Sequence, residues 1–261
     1  WGGVWYPLKL TDAEGIYELR EKPIISSMLS ATVLIAASFF SLFMFFSRPK
    51  EKVLLYFSLL CMTMGLRRLL IDERIIYFYL GDHWTFLQAL ENISTYLSFP
   101  FFVCYFSYRF PVRFSRQAML CSWLIAIPFC SLALTTNVSF YTSMNVPFQI
   151  SILFSLPYIF YIYVKCLMEG RRGAKTFGFG LGIFILAVVN DILTYSYVIH
   201  TPNLSHIGIL AFVISQGIDL AKSYLHNFET IKEMSNSLQS KNKELMKIDA
   251  FKDEFLATTS H

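Results

Sequence analysis

The run Ile207-Gly208-Ile209-Leu210-Ala211-Phe212-Val213-Ile214-Ser215-Gln216-Gly217-Ile218-Asp219-Leu220-Ala221-Lys222-Ser223-Tyr224-Leu225 passes directly into His226-Asn227-Phe228-Glu229-Thr230-Ile231-Lys232-Glu233-Met234. Its first half is apolar enough and long enough for the hydrocarbon core of a bilayer, which takes about 20 residues of helix. Its second half is rich in Asn, Glu, Lys, Ser and Gln, with apolar residues spaced apart. No Gly or Pro occurs between Leu225 and His261. One helix that starts in lipid and ends in water is the natural reading.

The remainder of the chain agrees with the first half of that run. It has 261 residues, of which 55% are hydrophobic, 17% aromatic and only 15% charged, and its mean hydropathy is +0.49. These values exclude an ordinary soluble domain. The pI near 8.7 comes from Lys and Arg in short loops. No basic stripe with interleaved aromatics is present, so a membrane surface is the expected partner and nucleic acid is not. Cys61, Cys104, Cys121, Cys130 and Cys166 are odd in number, form no Cys-x-x-Cys pair and lie in apolar runs. They read as small buried hydrophobes, with no metal site expected. No initiator Met and no signal peptide open the chain, so Trp1 is read as an excision point in a larger parent.

Seven segments qualify as spans: Pro23 to Phe46, Val53 to Ile71, Trp84 to Tyr108, Gln117 to Leu134, Pro147 to Met168, Thr176 to Ile199 and Ile207 to Leu225. Basic residues fall in alternate loops. Arg48, Lys50 and Lys52 follow the first span; Arg109, Arg113 and Arg116 follow the third; Lys165, Arg171, Arg172 and Lys175 surround the end of the fifth; Lys222 closes the seventh. The opposite loops carry Arg74 and little else. The excess of Lys and Arg on the inner side places the N-terminus outside and the C-terminus in the cytoplasm of a bacterial inner membrane. Lys9, Arg20 and Lys22 oppose this, but Glu14, Glu18 and Glu21 accompany them. Residues 1–22 are read as an extracytoplasmic remnant of an external sensor domain. In it Val4 to Leu10 is a short strand and Thr11-Asp12-Ala13-Glu14 a helix cap. The apolar Ile75-Ile76-Tyr77-Phe78-Tyr79-Leu80 lies on the interface or extends the second helix.

Polar groups at membrane depth are costly and each needs a partner. Arg67 and Arg68 fall in the outer half of the second span, Glu91 and Asn92 in that of the third, and Asn190 and Asp191 in that of the sixth. This shared depth makes Arg67, Arg68, Glu91, Asn190 and Asp191 a candidate intramembrane network, with Arg67 or Arg68 paired to Glu91 or Asp191 near an outward-facing cavity. The alternative is a fixed ion pair that orients helices, or arginines that snorkel to headgroups. Gln216 and Asp219 in the seventh span are candidate coupling residues, with Asp219 placed to meet Arg109 or Arg171. Gly178-Phe179-Gly180-Leu181-Gly182 lacks a preceding strand and a Lys-Ser/Thr, so it reads as close helix packing and not as a nucleotide loop.

Beyond Leu225, Ile231, Leu238 and Leu245 repeat every seven residues, with Met234 and Ile248 at companion positions and Lys241 as a weak step. This is the seam of a parallel two-stranded coiled coil over 226–248, or the apolar face of a solvated amphipathic helix. After Ile248 the spacing shifts to Phe251 and Phe255, as where one coil hands over to another bundle. An unbroken helix from Leu225 to His261 would extend about 54 Å.

Phe251-Lys252, Phe255-Leu256-Ala257 and Ser260-His261 resemble the opening of the dimerisation and phosphoacceptor helix of bacterial sensor histidine kinases, here residues 249–261. The resemblance makes His261 the phosphoacceptor. Its imidazole would attack the γ-phosphate of ATP, bound with Mg on a separate domain, and pass the phosphate to an Asp of a response regulator. The Glu-Leu/Ile-Arg-Thr-Pro run that continues the family motif is not present, so the match is half a motif. No cofactor is expected within these residues.

Ser47-Arg48-Pro49-Lys50-Glu51-Lys52 with Val53 to Leu60, and Tyr96-Leu97-Ser98-Phe99-Pro100-Phe101-Phe102, resemble the first inner loop and two spans of the bacterial seven-transmembrane receptors with diverse intracellular signalling modules. That resemblance covers about residues 24 to 225. It implies an external β-sandwich, preceding Trp1, that binds a small-molecule ligand.

The whole reads as an all-α membrane protein: a seven-transmembrane helix bundle over 23–225 followed by a long cytoplasmic signalling helix. Its expected role is the sensor and transmitter of a homodimeric two-component histidine kinase. A membrane anchor and dimerisation module without its own ligand site is the competing reading. A retinal protein would need a Lys in the middle of the seventh span, where only Lys222 stands, at the inner end. A transporter or channel would show inverted repeats, and no such internal symmetry is visible.

Overall fold

The computed structural model describes residues 13–71, 76, 83–112, 114–171, 173–195, 198–199, 201 and 204–259. The elements are α1 (Ala13–Ser47), α2 (Lys52–Ile71), α3 (Trp84–Arg109), α4 (Ser115–Thr135), the short α5 (Val138–Ser143), α6 (Asn145–Met168), α7 (Ala174–Tyr195) and α8 (Ser205–Thr259). No strand occurs among the described residues. The helix starting at Ala13 continues through Pro23 into the first span, so the segment before that span is no separate element from Ala13 on. The expected strand at Val4 to Leu10, and most of Ile75 to Leu80, lie outside the described residues. The chain divides into two units, Trp1–Ile214 and Ser215–His261.

Six helical stretches are long and apolar enough to cross a bilayer: Ile24–Ser47, Lys52–Leu70, Ser115–Thr135, Val138–Met168, Ala174–Asp191 and Ile207–Ile248. Their outward faces are apolar. Phe154 is 81% exposed, and Phe39, Phe43, Leu124, Leu134 and Phe160 are exposed as well. Contiguous apolar surface of this extent is untenable in water and matches a hydrocarbon solvent. The chain is a multi-pass membrane protein.

The helix α3 falls below the same apolarity threshold, and its position explains why. Gln88, Glu91, Asn92, Ser94, Thr95 and Ser98 lower its hydropathy. Yet α3 is the hub of the first unit. Its Tyr105 meets Phe57 of α2, its Phe101 meets Trp123 of α4, its Tyr96 meets Phe148 of α6 at 4.7 Å, and its Phe106 meets Phe177 of α7 at 5.2 Å. A helix walled by other helices faces little lipid, so it need not be greasy; its polar groups need only internal partners. These four pairs are edge-on or tilted, one of the arrangements that ring quadrupoles favour.

Small residues let α1 and α2 approach. Ser27, Ser30, Ala31, Leu34, Ser38 and Ser41 recur at helical spacing and are all buried. Ser38 Oγ donates to the Ser58 carbonyl at 2.9 Å and lies 3.1 Å from Ser58 Oγ. Such small-residue faces drive helix association where no hydrophobic force between helices exists. The same logic applies to the glycine-rich start of α7. A Cβ on Gly178 would collide with the hydroxyl end of Tyr163, whereas one on Gly182 would meet nothing within 4 Å. At the start of α8, a Cβ on Gly208 would lie 2.6 Å from Ala187 Cβ and 3.1 Å from Phe184 Cα. The motif at 178–182 is therefore packing at Gly178, and Gly208 is a point of close approach between α7 and α8.

Candidate functional site

One end of the first unit is basic and tightly fastened. Tyr56 at the start of α2 stacks on Tyr108 at the end of α3, with centroids 5.3 Å apart, and Lys52 Nζ sits 5.7 Å over the Tyr108 ring. Arg171, in the loop between α6 and α7, donates to the carbonyl of Pro111 at 2.7 Å and pairs with Glu169 at 2.8 Å. That loop turns through Gly170 and Gly173, whose φ of 64° and 83° only glycine adopts without strain. The α1–α2, α3–α4 and α6–α7 connections, with Arg48, Lys50, Lys52, Arg109, Arg116, Arg171 and Lys175, thus share one end. Arg113 and Arg172 lie outside the described residues.

The opposite half holds the intramembrane polar residues singled out from the sequence. Arg68 extends toward α1, its Nε 3.3 Å from Ser30 Oγ and its Nη2 3.4 Å from Ser27 Oγ. Arg67 is half-buried beside it in the chain. Glu91 accepts from Gln88 Nε2 at 3.2 Å, and Asn92 donates to the Gln88 carbonyl at 2.8 Å. Ser94 and Thr95 both return their hydroxyls to the Glu91 carbonyl, at 2.7 and 3.0 Å. One turn on, Tyr96 Oη donates to Asn145 Oδ1 at 2.9 Å and lies 3.2 Å from the Tyr141 carbonyl. These contacts link α3 to α5 and α6 through polar groups that sequence reading left unassigned.

Asn190 and Asp191 form a clasp at the far end of α7. Asp191 Oδ1 accepts the backbone N–H of Leu204 at 2.6 Å and a second bond from Asn190 Nδ2 at 3.2 Å. Thr201 Oγ1 donates to Asn190 Oδ1 at 2.8 Å and lies 2.8 Å from Thr194 Oγ1. Leu204 is the residue before α8 begins, so a carboxylate stands at the N-terminus of the longest helix. It satisfies one backbone donor that the helix cannot satisfy itself, and its charge opposes the positive end of the helix dipole. The bond from Leu204 to Asp191 carries no mark in the sequence.

In the second unit, α8 is uninterrupted to Thr259. Gln216 is wholly buried and Asp219 nearly so, at 6% exposure, and Gln216 Nε2 donates to Ser215 Oγ at 2.9 Å. Beyond them the burial ends. Ile231, Met234, Leu238, Leu245 and Ile248 stand exposed, Leu238 at 69%, with Phe228 and Leu225 exposed too. An apolar stripe at heptad spacing thus lies uncovered along the helix. His261 and Ser260 lie outside the described residues. Among the described residues no group of three His, Cys, Asp or Glu could hold a metal ion. Of the cysteines, Cys61, Cys104 and Cys166 are buried, Cys130 is half-buried and Cys121 is exposed. Cys121 therefore departs from the expected burial: it lines an open groove between α4 and α6.

No curated protein and no solved structure matches the chain. A family model does: that of 7TM diverse intracellular signalling, which matches residues 24–223. The matched stretch covers the bundle from the first span to the last turns of the seventh and leaves the exposed part of α8 outside it. The protein therefore belongs to the 7TM diverse intracellular signalling family, a family of membrane signalling proteins.

Proposed function

We propose that this chain is the membrane sensor and transmitter of a two-component histidine kinase, homodimeric through α8, with its N-terminus outside and its C-terminus in the cytoplasm. The observation that carries this reading is the continuity of α8. One unbroken helix runs from the Asp191 clasp, past buried Gln216 and Asp219, to an exposed heptad seam. Such a helix converts a small shift at one end into a rotation or register change at the other. The gathering of three basic connections at one end supports the orientation. An external small molecule, bound by a domain outside the residues present, would bias the bundle. A separate catalytic domain would bind ATP with Mg²⁺ and present it to His261, and a response regulator would take the phosphate from the imidazole.

The test is phosphorylation of the full-length protein in vesicles with radiolabelled ATP. Acid-labile label is expected in the parent and absent in His261→Gln. Label that persists in His261→Gln would sink the kinase reading.

The exposed seam also supports the anchor reading, since an apolar stripe suffices to pair two chains without a relay. The two readings part at Asp219. Asp219→Asn alters ligand-dependent phosphorylation if the bundle transmits, and leaves it unchanged if the bundle only anchors.

A further inference from the structure

A groove of about 350 Å³ lies in the first unit with α3 as its floor and α4 and α6 as its walls. Phe99 and Val103 form the floor and are buried. Ala118, Cys121, Tyr158 and Ile159 are among the wall residues. Among the described residues no charged side chain lines it. The walls do not close, because α6 packs sparsely against α3 and α4. All three helices carry an internal proline: Pro100, Pro128 and Pro157. Such a proline withdraws a backbone N–H and kinks a helix, which keeps neighbours from packing as straight rods.

The lining holds three hydroxyls. Ser122 Oγ donates to the Met119 carbonyl at 2.8 Å and Ser155 Oγ to the Ile152 carbonyl at 2.6 Å, each within its own helix. The Tyr158 hydroxyl differs: its oxygen is buried and finds no hydrogen-bond partner among the described residues. A buried O–H without an acceptor is costly, so this one calls for an acceptor from outside the chain. Its depth narrows the choice. From Tyr158, α6 runs on to Met168 at the basic end, about 15 Å of helix. That is half of a hydrocarbon core about 30 Å thick. The polar atoms of a phospholipid lie at the headgroups, so an acyl chain seated in the groove would leave the phenol unpaired.

The occupant that fits is uncharged, soluble in hydrocarbon, and carries an acceptor oxygen near mid-bilayer. A flat ring suits the aromatic lining of Phe99, Phe114 and Tyr158. The size of the groove, about 350 Å³, lies at the lower end of small-molecule sites, which run from about 300 to 1,000 Å³. We propose that this groove binds a prenylated quinone dissolved in the bilayer, with its ring between α4 and α6, one ring carbonyl accepting from Tyr158, and its tail in lipid. The bound ring would hold α4 and α6 at a fixed spacing over α3. The site is independent of the kinase reading, since it requires only the bundle and its bilayer.

The whole chain, reconstituted in phosphatidylcholine nanodiscs, is irradiated with increasing shares of an azido derivative of a prenylated benzoquinone, and labelled peptides are mapped by mass spectrometry. Saturable label is expected on the stretches of α4 and α6 that line the groove, and unmodified quinone should displace it. Tyr158→Phe keeps the ring and removes the donor, so it should raise the half-saturating share about fivefold. Cys121→Trp, which fills the groove from an exposed wall position, should abolish saturable label. Ala118→Phe fills it from a second position, so one variant that fails to fold leaves the other. Label that never saturates marks quinone of the lipid annulus and overturns the proposal. Unchanged half-saturation in Tyr158→Phe means a hydrocarbon slot without polar recognition, and label that survives both filling variants means a site elsewhere; each overturns it too. Displacement by diacylglycerol as readily as by quinone would mark a neutral ester lipid as the occupant and overturn it as well.

Discussion

The carboxylate of Asp191 accepts the backbone N–H of Leu204 at 2.6 Å, tying the end of α7 to the start of α8. Leu204 is half-buried, so its N–H deprived of the acceptor costs less than the roughly 1–3 kcal/mol of a fully buried donor. Asp191→Ala should therefore loosen the first turn of α8, seen as faster amide exchange from 204 onward. Asp191→Asn retains an acceptor oxygen and should preserve expression and exchange. It removes the charge at the helix N-terminus, so it should alter signal output in the full-length protein. Unchanged exchange in Asp191→Ala would contradict the clasp.

Gly208 offers a cleaner packing test. Its added Cβ would lie 2.6 Å from Ala187 Cβ. Gly208→Ala should lower stability by about 1–3 kcal/mol, the usual cost of overpacking. Ala187→Gly removes the atom it strikes, so the double variant should recover much of the loss. A thermal-unfolding series in detergent on the four proteins of this cycle reads the coupling directly; additive losses would refute the contact.

Between α1 and α2, Ser38→Ala deletes a hydrogen bond to Ser58 yet keeps the close approach. The expected loss is small, about 0.6 kcal/mol, as for interhelical bonds in lipid. Ser38→Leu forces the helices apart and should be far worse. Reversible unfolding in mixed micelles would show the ranking, and an equal loss in both would refute it.

If α8 pairs as proposed, along its exposed apolar stripe, the two chains should pair in register. In a background with all five cysteines replaced, single cysteines at Leu238 or Leu245 should cross-link between chains in membranes under mild oxidant. A cysteine at Asn236, on the far side of the heptad, should not. Leu238→Lys should weaken the dimer. Cross-linking that ignores position would point to collision without a defined coil.

Legibility varied with the kind of signal. The apolar runs and the sorting of Arg and Lys into alternate loops are properties of many residues at once, and the helices fall close to the expected spans. Hydropathy failed to certify α3 because it scores a residue's affinity for lipid, whereas Glu91, Asn92 and Ser94 face helices. Asn190 and Asp191 were recognisable as polar groups at depth, but Leu204 was not recognisable as a partner of Asp191, since a backbone N–H carries no sequence mark. The facing serines at 27, 30, 38 and 41 could have been found, because their helical spacing of small residues is itself the signature of close packing. The apolar stripe on α8 was legible through its period of seven.

The polar content of α3 also bears on how the protein is made. A segment carrying Gln88, Glu91 and Asn92 partitions less readily from the translocon into bilayer on its own, since a charge costs up to about 2.5–3.5 kcal/mol at the helix centre and polar groups add to it. It is expected to insert together with α2 and α4. Ribosome-bound chains that stop soon after Arg109 should therefore leave this segment extractable by alkali, and chains that reach α4 should not.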